Sequence, residues 1–396
     1  MNTHSQAMHN EHGTVTKVPF LDLKAQYASI KGEIDKAVHQ VLDSAEFVGG
    51  RKVEEFEKKF AAFVGAKFAV GVSSGTSALE LALKVAGIQP EDEVIVPANS
   101  FIATAEAVSN IGARPVFVDV DPSTFHLDVT SAEKVVNRKT RAIIPVHLYG
   151  RAMRLEGLEE FAAHHRLQVI EDACQAHGVA VSGRRVGGSG NLTCYSFYPG
   201  KNLGAYGDAG AVTCNDSESA ERLRLLRDHG SPTKYQHSLV GTNARLDSLQ
   251  AAALSVKLEY LPAWNRRRSS HARGYADGLT GSSFISPEIP ADGEHNYHLF
   301  VIRTDKRDAL REYLQTKGVS TGIHYPIPIH LTKAYQDLGY PAAGRLPVCE
   351  QLADEILSLP MYPELTESQV GYVVDTLLEF PYGRANVSGE ALAVSQ

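Results

Sequence analysis

The chain is poor in the features that stabilise or place a protein by covalent or electrostatic means. Four cysteines occur among 396 residues, Cys174, Cys194, Cys214 and Cys349, with no CxxC pair and no metal-ligand spacing. A disulfide scaffold and a zinc site are therefore not expected, and reduced thiols in a cytoplasmic protein are. No apolar run approaches the roughly 20 residues that span a bilayer. The first sixteen residues (MNTHSQAMHNEHGTVT) have no apolar stretch of the signal-peptide kind, so residues 1–17 are expected to be a flexible leader. Neither sign of charge dominates: 39 Lys+Arg against 46 Asp+Glu gives a net charge of −7, which argues against a nucleic acid or an anionic membrane as the main partner. No internal repeat or low-complexity segment is present. At 43% hydrophobic and 21% charged the composition is that of an ordinary globular protein. Single cores stop growing near ~250–300 residues, so a large lobe over 18–253 and a smaller α+β lobe over 254–396 are expected.

From Phe47 onward, apolar strand-like runs alternate with amphipathic segments, the habit of a mostly parallel sheet covered by helices. FAVGV, EVIVP, PVFVDVD, AIIPVHLYG and LQVIED read as strands. The spacing of Val53, Phe56, Phe60, Phe63 and Val64 predicts a helix closed by Gly65. Past residue 253 a long helix carries WNRRRSSHARGYADGL, with Arg266, Arg267 and Arg268 expected on a solvated face; YHLFVI reads as a strand and CEQLADEILSL as a helix.

Three segments carry chemistry. In SFYPGKNLGAYGDAG, Lys201 is set among glycines and small residues after a strand-like run. Most lysines are solvated, but one desolvated in such a turn has a lowered pKa and offers a neutral, nucleophilic amine. In VIEDACQAHG, Asp172 ends an apolar strand and Gln175 follows three residues later. A helix cap is the ordinary reading of such an aspartate. A strand-end carboxylate with a buried lysine is also the pair a pyridoxal phosphate site requires, with the carboxylate on the pyridinium nitrogen. In GVSSGTSALE a strand gives way to small residues and then a helix, a place where backbone N–H groups converge on a phosphate. The same residues match G-x-S-x-G, so a serine hydrolase using Ser73 is the rival expectation; an HGGG-like oxyanion loop is absent, however.

Taken in order, PFLDL, SSGTSALELAL, EVIVPANSFIATAEAV, FVDVD, IIPVHLYG, VIEDACQAHG, SFYPGKNLGAYGDAG, GTNARLDSLQAA, GIHYPIP and LSLPMYP resemble the DegT/DnrJ/EryC1/StrS family of pyridoxal-phosphate-dependent sugar aminotransferases. The resemblance runs from Pro19 to about Phe380. It implies the type I, aspartate-aminotransferase-like fold and a homodimer with shared active sites. It implies an amino group passing from L-glutamate to a nucleotide-linked keto-sugar, dTDP- or UDP-linked, and more like substrates aminated at C-3 than at C-4.

Carried over residue by residue, Lys201 resembles the lysine that carries the cofactor and Asp172 the partner of the ring nitrogen. Gln175 resembles the neighbour of the ring hydroxyl and Phe101 the aromatic stacked on the ring. Gly75, Thr76 and Ser196 resemble the phosphate cradle, completed by Asn243 from the second subunit. Arg245, His324 and Tyr325 match positions near the nucleotide-sugar or donor carboxylate, and the Arg184–Arg185 turn is a further candidate for the diphosphate. Gly200 departs from the pattern, since many relatives have serine or threonine there. A lysine rather than a histidine at 201 argues against the sugar-dehydrating subgroup.

Overall fold

The computed structural model describes residues 17–290, 293–340 and 343–383. The expected leader, residues 1–17, lies outside the described residues except for Lys17. Helices α1 (Lys31–Ser44) and α2 (Arg51–Val64) lead into the main sheet. Gly65 ends α2 in the left-handed region at φ 80°, a conformation that glycine adopts without steric cost.

The sheet has seven strands: β1 (Phe68–Val72), β2 (Glu93–Pro97), β3 (Arg114–Val118), β4 (Thr140–Ile143), β5 (Gln168–Asp172), β6 (Leu192–Ser196) and β7 (Gly210–Cys214). Their spatial order is β1-β7-β6-β5-β4-β2-β3. β3, β2, β4, β5 and β6 run parallel, while β7 is antiparallel to both β6 and β1. This is the mixed, mostly parallel sheet expected. β7 itself, a short GAVTC run after the lysine segment, is not among the strands read from the sequence.

Alternate side chains go to opposite faces, as the period of two requires. Val70, Val72, Val94, Val96, Ile170, Cys194 and Val212 pack against α3 (Gly75–Val85), α4 (Ala103–Asn110) and α6 (Ser217–Arg227). On the other face Ala69, Tyr195 and Ala211 meet α2 and the first half of α7 (Ser248–Gly278). Ile95, Val118 and Ile143 meet α5 (Glu156–His165). Buried on both sides, the strands read as near-continuous apolar runs.

The division expected after residue 253 falls inside α7. Its first half packs in the sheet's core through Ala251, Leu254, Leu258 and Leu261, and its last turns pack on a second core through Ala272 and Tyr275. That second core gathers β8 (Phe300–Arg303), β9 (Ile356–Leu359), α8 (Glu367–Glu379) and, from the other end of the chain, Val18. Two local expectations change. CEQLADE is helical, but ILSL is β9, paired antiparallel with β8. Arg268 is not on a solvated face: it is 2% exposed, and its Nη1 donates to the carbonyls of Tyr297 at 3.1 Å and Met361 at 2.7 Å. A buried guanidinium needs such acceptors, and three arginines in a row on a 100° helical period cannot share one face.

Candidate active site

The carboxyl ends of β1, β2, β5 and β6 open on one cavity of about 600 Å³. Asp172, the last residue of β5, forms its floor and is buried. No helix follows, so the carboxylate is not a helix cap. Its Oδ1 accepts from the backbone N–H of Cys174 at 3.1 Å, and its Oδ2 from the hydroxyl of Thr104 on α4 at 2.8 Å. Ser100 Oγ lies 2.8 Å from Thr104 Oγ1 and extends the chain of hydroxyls. Among the described residues Asp172 forms no ion pair. A buried carboxylate whose hydrogen bonds come from neutral donors is costly, so this site is electrostatically prepared for a positive group.

Lys201 stands in the turn after β6, its backbone N–H donating to the carbonyl of Tyr198 at 2.8 Å. Burial pulls its amine below the ordinary lysine range, with Cys174 and Asp172 opposing the shift. A lysine so held has a larger neutral, nucleophilic fraction at physiological pH.

At one end of the cavity Ser74 caps α3, its Oγ accepting from Ser77 N at 3.0 Å. The N–H groups of Gly75 and Thr76 precede the first intrahelical bond and point from the helix end. A Cβ on Gly75 would sit 2.7 Å from Ser196 Cβ, so glycine is what lets the helix end approach Ser196 and the strand beside it. Backbone donors, two hydroxyls and a helix dipole make a cradle for a dianion.

Phe101, 51% exposed, stands at the rim, and its ring lies 5.5 Å from that of Tyr325. Gln175 is buried; its Oε1 accepts from Tyr149 N at 2.6 Å and its Nε2 donates to Tyr325 OH at 3.4 Å. His324 stacks on Phe20 with centroids 5.6 Å apart and its Nδ1 meets Ser358 Oγ at 2.8 Å. Burial and then the Lys201 charge lower the His324 pKa to about 4, and burial raises that of Tyr325. At neutral pH both rings are uncharged.

The structure thus brings together Gly75, Thr76, Phe101, Asp172, Gln175, Ser196, Lys201, His324 and Tyr325 on one cavity. Asn243 and Arg245 do not line it: Asn243 is exposed, and Arg245 pairs with Asp228 at 2.9 Å. Arg185 lies against the Phe63 ring at 4.4 Å, also away from the cavity lining. The Ser73 hydroxyl is 2.8 Å from that of Ser77 and has no histidine partner among the described residues. The nucleophile-elbow expectation fails, because a serine without a base is not activated. Sequence reasoning missed Thr104, Asn202 and His298. Thr104 was within reach, being one helical turn after Phe101; the other two carry no local signal.

The donor set fits pyridoxal phosphate. A dianion cradle, a lysine whose pKa burial lowers, a buried carboxylate and an exposed aromatic surface are what a phosphate, an aldehyde, a protonated ring nitrogen and a flat ring require. Among the described residues no group of three or more His, Cys, Asp or Glu could hold a metal, and no helix is long and apolar enough to cross a membrane.

The family model of DegT/DnrJ/EryC1/StrS aminotransferases matches residues 28–378. The chain is 47% identical over 365 residues to a dTDP-3-amino-3,4,6-trideoxy-alpha-D-glucose transaminase of Streptomyces venezuelae, covering 92% of this chain and 96% of that one. The crystal structure of S. venezuelae DesV superposes with a TM-score of 0.89 at 47% identity, over 91% of this chain and 97% of the other. That of NtdA from Bacillus subtilis with bound PMP gives 0.86 at 32% identity, over 93% and 86%.

Proposed function

The chain belongs to the DegT/DnrJ/EryC1/StrS aminotransferase family, and from this premise we propose that it moves an amino group from L-glutamate to the keto carbon of a dTDP- or UDP-linked 3-keto-sugar. Its cofactor is pyridoxal 5′-phosphate, and the products are 2-oxoglutarate and a nucleotide-linked 3-amino sugar. One observation carries this reading: the desolvated Lys201 amine and the buried Asp172 carboxylate share a cavity with a dianion cradle. The nearness of a 3-amino-sugar transaminase supports C-3.

Asp172 would hold the ring nitrogen, Gln175 the ring hydroxyl, Phe101 the ring face, and Gly75, Thr76 and Ser196 the phosphate. When bound, the cofactor supplies an aldehyde and an electron-withdrawing ring that stabilises negative charge at the carbon losing its proton. Lys201 takes the proton from the α-carbon of glutamate and, in the second half-reaction, gives one to C-3 of the sugar. Asp172 keeps its negative charge in place throughout, because Thr104 and the Cys174 N–H fix both carboxylate oxygens before any substrate arrives. The uncharged His324 and Tyr325 bound the space for substrate without competing for its proton.

The site is completed by a second copy of the chain. Asn243 and Arg245 lie on a segment whose neighbours Tyr235 and Val240 are 83% and 95% exposed, and large apolar side chains so placed mark an interface. Asn243 of the second copy would reach the phosphate, and its Arg245 the diphosphate of the sugar nucleotide. Adding a panel of nucleotide-linked amino sugars to the pyridoxal-phosphate form tests the function. One 3-amino sugar should convert the absorbance of the aldehyde form to that of the amine form, and failure of every 3-amino member would overturn the proposal.

A further inference from the structure

His298 is held at every polar atom but one. Its backbone N–H donates to Asn296 Oδ1 at 2.9 Å, and its carbonyl lies 3.5 Å from Nη1 of the buried Arg268. Its ring Nδ1 is 3.2 Å from Asn202 Oδ1. The orientation of the Asn202 amide is fixed independently, since its Nδ2 donates to Asn265 Oδ1 at 3.0 Å and to the Asn296 carbonyl at 3.1 Å. An oxygen therefore faces the ring, and the shared proton belongs to Nδ1. Burial, followed by the charges of Lys201 and Arg268 and the neighbouring His324 and His177, holds the imidazole well below its ordinary range. The ring is neutral, and its lone pair is on Nε2.

Nε2 has no hydrogen-bond partner among the described residues, and His298 lines the cavity. Asn202 is the residue after Lys201, so the orientation of the ring is tied to the lysine turn. The Lys201 charge acts on the ring, but no hydrogen bond joins its amine to Nε2 among the described residues, which leaves Nε2 for an incoming ligand. An acceptor needs a donor. The glutamate carboxylates and the sugar diphosphate offer acceptors only, and the glutamate amine is engaged at the reacting centre. Sugar hydroxyls are the donors that remain.

We infer that His298 Nε2 accepts a hydrogen bond from the sugar hydroxyl beside the carbon that receives the amino group, which makes His298 a specificity-determining residue. The inference rests on the keto-sugar reading above. Three segments, those of Asn202, of Asn265 with Arg268 on α7, and of Asn296, converge to fix one residue, and a preorganised acceptor discriminates because its unpaired state is unfavourable.

The test uses the full chain loaded with cofactor and three probes: dTDP-3-amino-3,6-dideoxy-α-D-galactose and its 2-deoxy and 4-deoxy analogues. Calorimetry should show one deoxy analogue binding roughly tenfold more weakly than the parent. His298→Phe should lose that factor on the parent and cease to discriminate. His298→Gln, with an amide oxygen near the place of Nε2, should recover part of it. Retained discrimination in His298→Phe would overturn the assignment. So would an equal loss in the glutamate half-reaction, which would give the acceptor to Lys201. Nitrogen NMR of histidine-labelled wild type should show His298 protonated at Nδ1 and bare at Nε2; the opposite tautomer overturns the inference without any variant. A wild type that binds none of the probes overturns the dTDP-linked reading of the substrate and with it this assignment, whereas binding without selectivity overturns only the role of His298.

Discussion

The hydroxyl of Thr104 donates to Oδ2 of Asp172 at 2.8 Å, joining residues 68 positions apart. The bond settles which way the carboxylate of a buried aspartate faces, and Thr104 is fixed in turn by α4, whose preceding turn carries Phe101.

Thr104→Val keeps the shape and removes the donor, so one carboxylate oxygen loses its only partner. We expect a roughly tenfold fall in kcat/KM for the glutamate half-reaction, and Thr104→Ser should recover most of it. Single-turnover kinetics at matched cofactor occupancy check this.

Lys201→Ala removes the group proposed to move the proton. The half-reaction with glutamate should slow by at least ~10²–10³-fold, and borohydride should no longer fix the cofactor to the protein, as read by mass spectrometry. A wild-type rate in this variant would remove the lysine from the mechanism.

Gly200 and Gly204 flank the lysine turn but differ in the space around them. A Cβ on Gly200 meets nothing nearer than Leu21 Cδ2 at 3.6 Å, whereas one on Gly204 falls 2.3 Å from the Pro199 carbonyl oxygen. Gly200→Ser should leave the melting temperature within a degree or two. Gly204→Ala should lower it by several degrees and weaken cofactor retention, since backbone must move to relieve the clash. The departure of Gly200 from the family pattern is thus compatible with the turn.

Lys257 is buried under the same turn, its Nζ donating to the Gly204 carbonyl at 2.8 Å and lying 3.9 Å from the Tyr206 ring centroid. Burial lowers its pKa to about 8, against some opposition from Glu364. The folded value is below the unfolded one, so between about pH 8 and the ordinary lysine range near ~10.4 the unfolded chain binds more protons. This group therefore makes stability rise with pH across that window and contributes no pH dependence below it. Denaturant unfolding at pH 7.5 and 10 should show a component of that sign in the wild type, and Lys257→Met should remove it.

Arg268 joins α7 to the segments of Tyr297 and Met361. Arg268→Lys keeps the charge but is shorter, and its amine does not stand where Nη1 serves both carbonyls. Unfolding experiments should give a loss of about 2–3 kcal/mol, and the His298 ring should lose its fixed orientation, visible as exchange broadening of its NMR signals.

Much of this molecule is legible along the chain because the forces concerned are local. Apolar runs of five residues between polar ends specify strands buried on both faces, Ser74 and Gly65 mark a helix start and a helix end, and a lysine among glycines advertises a desolvated turn. Ten collinear motifs then identify the family. The sequence was silent where a side chain's role depends on what the fold brings to it. GAVTC became an antiparallel strand because β1 and β6 needed a partner between them. ILSL left its helix for a ladder with FVIR, and Arg268 turned inward because carbonyls from residues 297 and 361 waited there.

The sequence by itself determined the class of sheet and singled out Lys201, Asp172 and the Ser74–Thr76 helix start as candidates, since each is written within a dozen consecutive residues. Only the tertiary structure decided that Thr104 orients Asp172, that Asn202 sets the tautomer of His298, and that Asn243 and Arg245 stand outside their own chain's cavity. The physical reason is one of range. Propensity and burial act through neighbours in the chain and leave a periodic trace, whereas a hydrogen bond between distant residues acts over about 3 Å and leaves none until folding closes the distance.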